Sequence, residues 1–388
     1  MTDPYEPYPG PPPTRSPGPG WYAQQLAGRY PPPQVWYPPA PAGVRWAPPP
    51  GTPPFDVPQP FLLAMRSRDW GWWRPVLGLL LFGAVYLVLA VLVGVLGLLG
   101  VLVSGADLGA LPDLGSPDLT DPWVLLVVNI SLIAAIPCVW MVWAVAHGRT
   151  IGWSSSVLGR LRWRLFAPYA RYALATVGVA ILGSALLGFA LGEDFVSGPV
   201  RSFGSLLVVV LVTTPLQAAA EELFFRGYLS QTIAGWVRVP VPGALLAAVA
   251  SAALFSVAHG PPDVSTFLDR FAVGLAASAV VWLTGGIEAA IALHAVNNVV
   301  VFLLAGALGD GSARADTPGG VGTVSLLITV LALAAYVAVV ARSRARLRPE
   351  LLTPSLDLRT GQVSSFPAPR GTTHGVWGNW QPDGFWFR

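Results

Sequence analysis

Long apolar stretches separated by short polar connections make up most of the chain after residue 70. Eight of these stretches approach the ~20 residues that an α-helix needs to cross the hydrocarbon core of a bilayer. Their length and continuous apolar character predict an all-α, polytopic membrane helix bundle with about eight transmembrane helices. The predicted spans cover residues 75–103, 122–146, 167–191, 204–232, 242–259, 267–285, 287–308 and 321–341.

The connections between the spans alternate in charge. Arginines lie before the first span, after the second, fourth and eighth, whereas acidic residues follow the first and third. Because arginine is retained on the cytoplasmic side, both termini of this multi-pass cell-membrane protein are expected in the cytoplasm. An even number of spans agrees with that orientation. The charged residues are Arg66, Arg68, Arg74, Asp107, Asp113, Asp118, Asp121, Arg149, Arg160, Arg162, Arg164, Glu193, Asp194, Arg238, Arg342, Arg344, Arg346 and Arg348.

The two ends of the chain have a different composition. The first 68 residues are rich in Pro, Gly and Tyr and bury too little apolar surface to offset their ordering entropy, so a disordered cytoplasmic tail is expected there. No apolar run lies near residue 1, so the first membrane helix is expected to act as its own insertion signal. The predicted organisation is 1–68 tail, 69–200 accessory transmembrane helices, 201–308 catalytic transmembrane core, 309–348 last helix with its basic flank, and 349–388 low-complexity tail.

Composition supports a membrane protein and narrows its partners. Only 11% of the 388 residues are charged, against roughly 25% in an ordinary soluble domain. The arginines cluster beside the apolar stretches, which indicates contact with the lipid bilayer and no nucleic-acid binding. A single cysteine, Cys138, allows no internal disulfide.

A first group of ionisable residues, Glu221, Glu222 and Arg226, lies inside the fourth span. Charges within a bilayer are costly and mark a functional site by default. Glu222 and Arg226 are four residues apart and share a helix face, whereas Glu221 points about 100° away from Glu222. A buried arginine needs a counter-charge, so Arg226 is expected to hold one carboxylate ionised while the other acts as a base. A purely structural ion pair is the alternative.

Two further groups lie in the fifth and seventh spans: Phe255 with His259, and His294 with Asn298. Alone, His259 is typical of a satisfied interfacial residue, and His294 with Asn298 could simply join helices by hydrogen bonds. Together with a carboxylate they supply a base and hydrogen-bond donors, which amide hydrolysis needs. Glutamate and histidine could also bind zinc, although no His-Glu-x-x-His pattern is present.

Other polar residues of the spans and connections suggest simpler roles. Glu288 is expected to be an interfacial charge, and Arg171 to extend towards the membrane surface. His147 and His374 fall in a connection and in the C-terminal tail.

The predicted spans give the candidate residues unequal depths. Measured from the cytoplasmic ends, Glu221, His294 and Asn298 lie about 10–16 Å deep but His259 lies about 24 Å deep. A tilt or shifted helix boundaries must therefore bring His259 to the others.

Three segments resemble the motifs of one family: Glu221-Glu222-Leu223-Phe224-Phe225-Arg226-Gly227, Phe255-Ser256-Val257-Ala258-His259 and His294-Ala295-Val296-Asn297-Asn298. They occur in the order found in the CPBP intramembrane proteases, the type II CAAX prenyl endopeptidase, Abi and bacteriocin-processing group. The resemblance covers roughly residues 200–305. It implies a helical membrane fold with a cavity open to the cytosol. Its residue roles are water activation by Glu221 and His259, an oxyanion hole of His294 and Asn298, and support from Glu222 and Arg226.

The resulting hypothesis is an intramembrane endopeptidase that cleaves a membrane-associated peptide or protein near the cytosolic face. A proton-relay transporter and a catalytically silent immunity or scaffold member are the alternatives. The family is usually labelled metalloprotease; if zinc is bound, Glu221, His259 and His294 are the expected ligands. No spare carboxylate is evident in the sequence beside either histidine, which favours a metal-free mechanism.

Overall fold

A computed structural model describes residues 52–104, 117–190, 198–309, 323–357 and 362–363. Within these ranges, eight helices are long and apolar enough to cross a membrane, which confirms the predicted helix bundle. They are α1 Trp73–Val103, α2 Pro122–Val145, α3 Trp163–Ala190, α4 Phe203–Val237, α5 Pro240–Ala258, α6 Val264–Thr284, α7 Glu288–Leu308 and α8 Val324–Leu347.

Three of these helices are interrupted. α2 consists of the segments Pro122–Ile133 and Ala135–Val145, and its N-terminus is capped by the Asp121 side chain. α3 begins with a 3₁₀ turn at Trp163–Leu165 and contains a π-helical turn at Leu174–Gly178. α4 contains a π-helical turn at Phe225–Leu229, next to its glutamate pair. Such π-helical turns are frequent at functional sites.

The predicted site residues lie on the inner helices of the bundle. α4 packs most extensively on α7 and α2, while α6 packs on α5 and α8. α1 is the least covered helix, and the exposed leucines and valines along it form an apolar surface suited to lipid. This arrangement places α4, α5 and α7 side by side around the centre of the bundle.

Four segments pack over one end of the bundle, and we call this layer the closed end. They are residues 52–72, 146–162, 285–287 and 348–357. Short 3₁₀ turns lie there at Phe61–Leu63 and Ile151–Ser154. The described part of the chain also includes a small antiparallel pair, β1 Leu356–Asp357 and β2 Gln362–Val363.

Both flanking segments belong partly to this folded end. The amide of Thr353 donates to the Gln59 carbonyl, and the amide of Leu356 donates to the Phe55 carbonyl, each at 2.8 Å. Phe55 is buried, as are the neighbouring apolar residues Phe61 and Met65. Residues 52–68 and 349–357, which the sequence assigns to the two tails, are therefore part of the folded structure. The short apolar segment around Phe55 provides enough surface to pack. The tail predictions for residues 1–51 and 364–388 fall outside the described residues.

The turn between α6 and α7 is buried under the closed end. Ile287 donates its amide to the Ser155 carbonyl at 2.9 Å. Gly285 adopts a positive φ of 68°, and a Cβ there would lie 2.4 Å from the Glu350 carbonyl oxygen. Only glycine satisfies both the backbone conformation and this close approach.

Glu288, at the start of α7, is wholly buried and pairs with Arg162 at 2.6 Å. The prediction of an interfacial charge at Glu288 is wrong, because the covering segment brings a guanidinium to it.

These boundaries resolve the unequal depths predicted from the sequence. α4 continues to Val237 instead of ending at residue 232, so Glu221 lies deeper and level with His259 in the antiparallel α4 and α5 pair. His294 lies at the same level, with Nε2 3.6 Å from Glu221 Oε2. Because 16 residues of α4 separate Glu221 from Val237, a distance of about 24 Å along the helix, the site lies farther from the expected cytoplasmic end than the sequence predicts.

Candidate active site

Helices α4 and α7 and the end of α5 bring all six predicted site residues together. α5 stops where Gly260 takes a positive φ of 55°, which leaves His259 as the capping residue of that helix. The site residues are Glu221, Glu222 and Arg226 from α4, His259 from the end of α5, and His294 and Asn298 from α7.

Glu222 is held by two cationic or donor groups. Its Oε1 accepts from Arg226 Nη1 and from His294 Nδ1, both at 2.9 Å. Arg226 also donates to the Gly274 carbonyl at 3.1 Å and stacks over the Phe255 ring at 4.8 Å. Glu222 and Arg226 are essentially inaccessible to solvent. The Glu222 carboxylate is therefore fixed in place by its hydrogen bonds and paired with the Arg226 guanidinium. Arg226 therefore neutralises Glu222, one of the two glutamates considered from the sequence.

Glu221 has two oxygen atoms in different environments. Its Oε1 accepts from the Gln217 side-chain amide at 2.7 Å. Its Oε2 is buried without a hydrogen-bond partner and lies 3.7 Å from His259 Nε2 and 3.6 Å from His294 Nε2. These separations exceed those of a direct hydrogen bond. Glu221 Oε2 and Glu222 Oε2 are both buried carboxylate oxygens without a hydrogen-bond partner, and Glu221 Oε2 is the one that lies within 4 Å of both histidine Nε2 atoms.

The hydrogen bonds of the two histidines define their tautomers. His259 Nδ1 lies 2.7 Å from the Phe255 carbonyl, and His294 Nδ1 contacts the Glu222 carboxylate. A carbonyl and an ionised carboxylate only accept, so each Nδ1 carries the hydrogen and each neutral Nε2 carries a lone pair. Both lone pairs face Glu221 Oε2. Three acceptors facing one another need a donor between them, such as a water molecule or a proton.

Burial lowers the pKa of His259, although the Glu221 carboxylate and the hydrogen bond to the Phe255 carbonyl oppose that shift. A lowered pKa keeps the imidazole neutral near pH 7. The Arg270 side chain donates to the His259 carbonyl at 3.1 Å and so ties α6 to the end of α5. Arg270 was not among the predicted site residues.

Asn298 belongs to a second set of contacts. Its Nδ2 donates to Gln217 Oε1 at 3.2 Å, and its Oδ1 accepts from Asn297 at 3.1 Å. Gln217 was also missed from the sequence. Its position in the sequence could have indicated it, because Gln217 is an uncharged polar residue four positions before Glu221 on an apolar helix and therefore lies on the same face.

The donor atoms around Glu221 Oε2 are of the types that zinc uses, one carboxylate oxygen and two imidazole nitrogens. Among the described residues, however, no group of three or more His, Cys, Asp and Glu side chains is arranged to hold a metal ion. The steps proposed below accordingly use side chains alone.

Glu222 lies beside His294 and accepts from its Nδ1. The prediction that neither histidine has a neighbouring carboxylate is therefore wrong, and it no longer favours a metal-free mechanism. Carboxylate partners of this kind commonly orient metal-bound histidines. The contact is therefore compatible with either mechanism.

The other polar candidates lie away from the site. His147 is buried at the closed end, with Nε2 3.1 Å from the Tyr228 hydroxyl, and burial together with Arg74 and Arg149 lowers its pKa to about 4. Arg171 is exposed and donates to the Ala167 carbonyl within α3. His374 lies outside the described residues.

Comparisons with known proteins agree with the motif resemblance. Residues 203–300 match the family model described as "Type II CAAX prenyl endopeptidase Rce1-like". Over 200 residues the chain is 28% identical to a protein of Bacillus subtilis (strain 168) described as "Uncharacterized protein YyaK". That match covers 48% of this chain and 63% of the relative, so it spans less than two thirds of the relative's length. No solved structure matches significantly. The family match confirms the resemblance over residues 203–300.

Proposed function

We propose that this protein is an intramembrane endopeptidase that hydrolyses a peptide bond of a membrane-anchored substrate inside the cell membrane. The observation that carries the proposal is the position of Glu221 Oε2, buried without a hydrogen-bond partner and facing the Nε2 atoms of His259 and His294. An unsatisfied carboxylate oxygen in an apolar site is costly, and a substrate water is the natural donor to it.

The first step is attack by that water. Glu221 Oε2 takes one water proton, the water oxygen bonds to the carbonyl carbon of the substrate, and the carbonyl π electrons move to its oxygen. His259 Nε2 accepts the second water hydrogen and orients the nucleophile. The lone pair is aimed by the hydrogen bond from His259 Nδ1 to the Phe255 carbonyl.

The second step is collapse of the tetrahedral intermediate. The carbonyl double bond re-forms, the carbon–nitrogen bond breaks, and the leaving nitrogen takes the proton held by Glu221. Asn298 offers an amide N–H to the oxyanion. His294 donates from Nε2 only when it is protonated, and Glu222, accepting at Nδ1, stabilises that cation. Buried donors of this kind are strong because little water screens them.

The matched family and the membrane setting support a substrate class. A peptide or protein anchored in the membrane, such as one with a lipidated C-terminal segment, would reach a site buried between helices. The arginine distribution supports a cytoplasmic position for the N- and C-terminal ends. The native substrate is best found by comparing the membrane peptides of a deletion strain with those of the wild type.

A direct assay tests the activity. The purified protein in liposomes is given an internally quenched, prenylated CAAX peptide, and release of fluorescence is followed. Glu221→Gln is expected to lose cleavage while retaining its fold. Asp269→Asn is the matched control, because Asp269 is a carboxylate on another membrane helix, hydrogen-bonded to Thr329. It should keep most activity.

The same experiment separates the alternatives. A proton-relay transporter or a silent scaffold predicts no cleavage by the wild-type protein, either of this peptide or of any membrane peptide that differs in the deletion strain. Cleavage that is unaffected by Glu221→Gln would also contradict the proposed mechanism.

A further inference from the structure

Four side chains form a continuous hydrogen-bonded chain between α7 and α4. Asn297 donates to Asn298 at 3.1 Å, Asn298 donates to Gln217 at 3.2 Å, and Gln217 donates to Glu221 Oε1 at 2.7 Å. Gln217 is buried at the junction of the two helices. It contacts both the proposed base, Glu221, and the proposed oxyanion donor, Asn298, but lies outside the three motifs.

The direction of this chain follows from one charge. An ionised Glu221 only accepts, so Gln217 must turn its NH₂ group towards Oε1. The Gln217 carbonyl oxygen then faces Asn298 and must accept, which turns the Asn298 NH₂ group towards α4. One Asn298 N–H is used in this contact, and the second is left on the same nitrogen for another acceptor.

We propose that Gln217 is a positioning residue, which holds the Glu221 carboxylate and orients the Asn298 amide as a donor towards the reacting carbonyl. The proposal rests on the endopeptidase function proposed above. The two oxygens of Glu221 then have separate roles. Gln217 restrains Oε1, and Oε2 takes a proton from the attacking water.

Loss of Gln217 would release both partners. The terminal torsion of a glutamate is broad and roughly two-fold, so without the amide the Glu221 carboxylate can rotate its second oxygen away from the water. Asn298 can likewise present its carbonyl oxygen, which repels an oxyanion. Two catalytic groups thus depend on one side chain that touches no reacting atom.

Three variants test the proposal by peptide cleavage in liposomes. Gln217→Leu removes the amide at similar volume. Gln217→Glu keeps the shape but donates to Glu221 only when protonated. Gln231→Leu is the matched control, since Gln231 is a second buried glutamine of α4 and donates to the Trp153 carbonyl at 2.9 Å.

The expected results differ between the variants. Gln217→Leu should lower kcat roughly 10- to 100-fold with little change in KM, the effect of removing one hydrogen bond to a charged group. Gln231→Leu should lower abundance or thermal stability but leave kcat within about two-fold. Gln217→Glu should be most active at acidic pH, where the new carboxyl is a donor, and should lose activity as pH rises and two carboxylates repel.

The pH comparison must allow for the other groups around Glu221. These are Tyr86 of α1, Glu222 and Arg226 of α4, His259 after α5, Arg270 of α6 and His294 of α7. They are common to all variants, so the wild type and Gln231→Leu should share one profile. Only Gln217→Glu should show an additional decline at higher pH.

The outcomes distinguish this proposal from the one on which it rests. If wild-type protein cleaves nothing, the endopeptidase assignment fails. If wild-type protein is active and Glu221→Gln is not, but Gln217→Leu matches Gln231→Leu in kcat, the positioning role is refuted. A Gln217→Glu profile parallel to that of the wild type would also refute it.

Thermal unfolding of Gln217→Leu, Glu221→Gln and the double variant gives a readout independent of activity. Coupled residues should produce non-additive shifts, and additive shifts would count against the contact.

Discussion

Replacing Arg162 by methionine should destabilise the protein strongly, because it removes the counter-charge of the buried Glu288 carboxylate. Arg162 donates to Glu288 from its backbone amide at 2.8 Å, from Nε at 2.9 Å and from Nη2 at 2.6 Å. Its Nη1 also donates to the Thr284 and Glu350 carbonyls at 3.0 and 2.9 Å. One side chain thereby joins the α2–α3 connection, the α6–α7 turn and the segment after α8.

The magnitude follows from burial. Both side chains are almost fully inaccessible, at 3% for Arg162 and 0% for Glu288. Removing one partner of such a pair costs about 3–5 kcal/mol, mainly through the charge left unpaired. Replacing both by methionine removes that charge and should recover most of the loss. Arg164→Met is the matched control, since Arg164 is 45% exposed in its pair with Glu350, and exposed pairs contribute roughly 0–1 kcal/mol.

The assay is thermal or denaturant unfolding in detergent, together with the amount of protein in the membrane. The expected order of stability is wild type, then Arg164→Met close to it, then the double variant, then Arg162→Met well below. Equal stability of Arg162→Met and Arg164→Met would refute the reasoning, because it would mean that Glu288 is solvated or neutral when alone. No recovery in the double variant would show that the carbonyl contacts dominate.

Four further outcomes are expected. His259→Ala should abolish cleavage without loss of protein, and Asn298→Ala should lower kcat by roughly 10²–10³, the usual cost of one oxyanion donor; unchanged rates in purified protein would contradict these roles. The pKa of His147 is lowered to about 4 from an ordinary value near 6.5. Between pH 4 and 6.5 the imidazole is therefore protonated in the unfolded chain but neutral in the folded protein. Its contribution to stability, at most about 3 kcal/mol, should therefore be complete above pH 6.5 and be lost as pH falls towards 4; His147→Leu should flatten that part of the stability profile, and an unchanged slope would contradict it. Activity should survive chelation, because no group of three or more His, Cys, Asp and Glu among the described residues is arranged to hold a metal ion; loss to a chelator and recovery with zinc would establish a metal enzyme and leave the peptidase assignment intact. Reporter fusions at residues 20, 112 and 360 should read inside, outside and inside; an external terminus would contradict the orientation.

The extent of the helices could be predicted because it depends on local properties. A run of about 20 apolar residues forms a helix in a bilayer whatever surrounds it, since its backbone groups must bond internally. The pairing of Glu222 with Arg226 was predictable for a similar reason, as side chains four residues apart lie on one face of any helix. The helix bounds were less accurate, because α4 continues past the polar residues 230–232 to Val237.

The contacts between helices could not be predicted in the same way. The hydrogen bond between His294 and Glu222 joins residues far apart in sequence and depends on how deeply α7 begins. Glu288 was misjudged because its partner, Arg162, comes from another connection. The packing of Phe55 under the closed end likewise required the segment after α8 to cover it.

The sequence by itself determined the membrane class, the eight helices and the three polar groups, since hydrophobic length and helical spacing act within a single segment. Only the tertiary structure decided which oxygen of Glu221 is unsatisfied, which tautomers the histidines adopt and that Gln217 joins α4 to α7. The physical reason is that a hydrogen bond needs its partners within about 3 Å. Helix depth, rotation and neighbours set that distance, and all three arise from packing across the whole bundle.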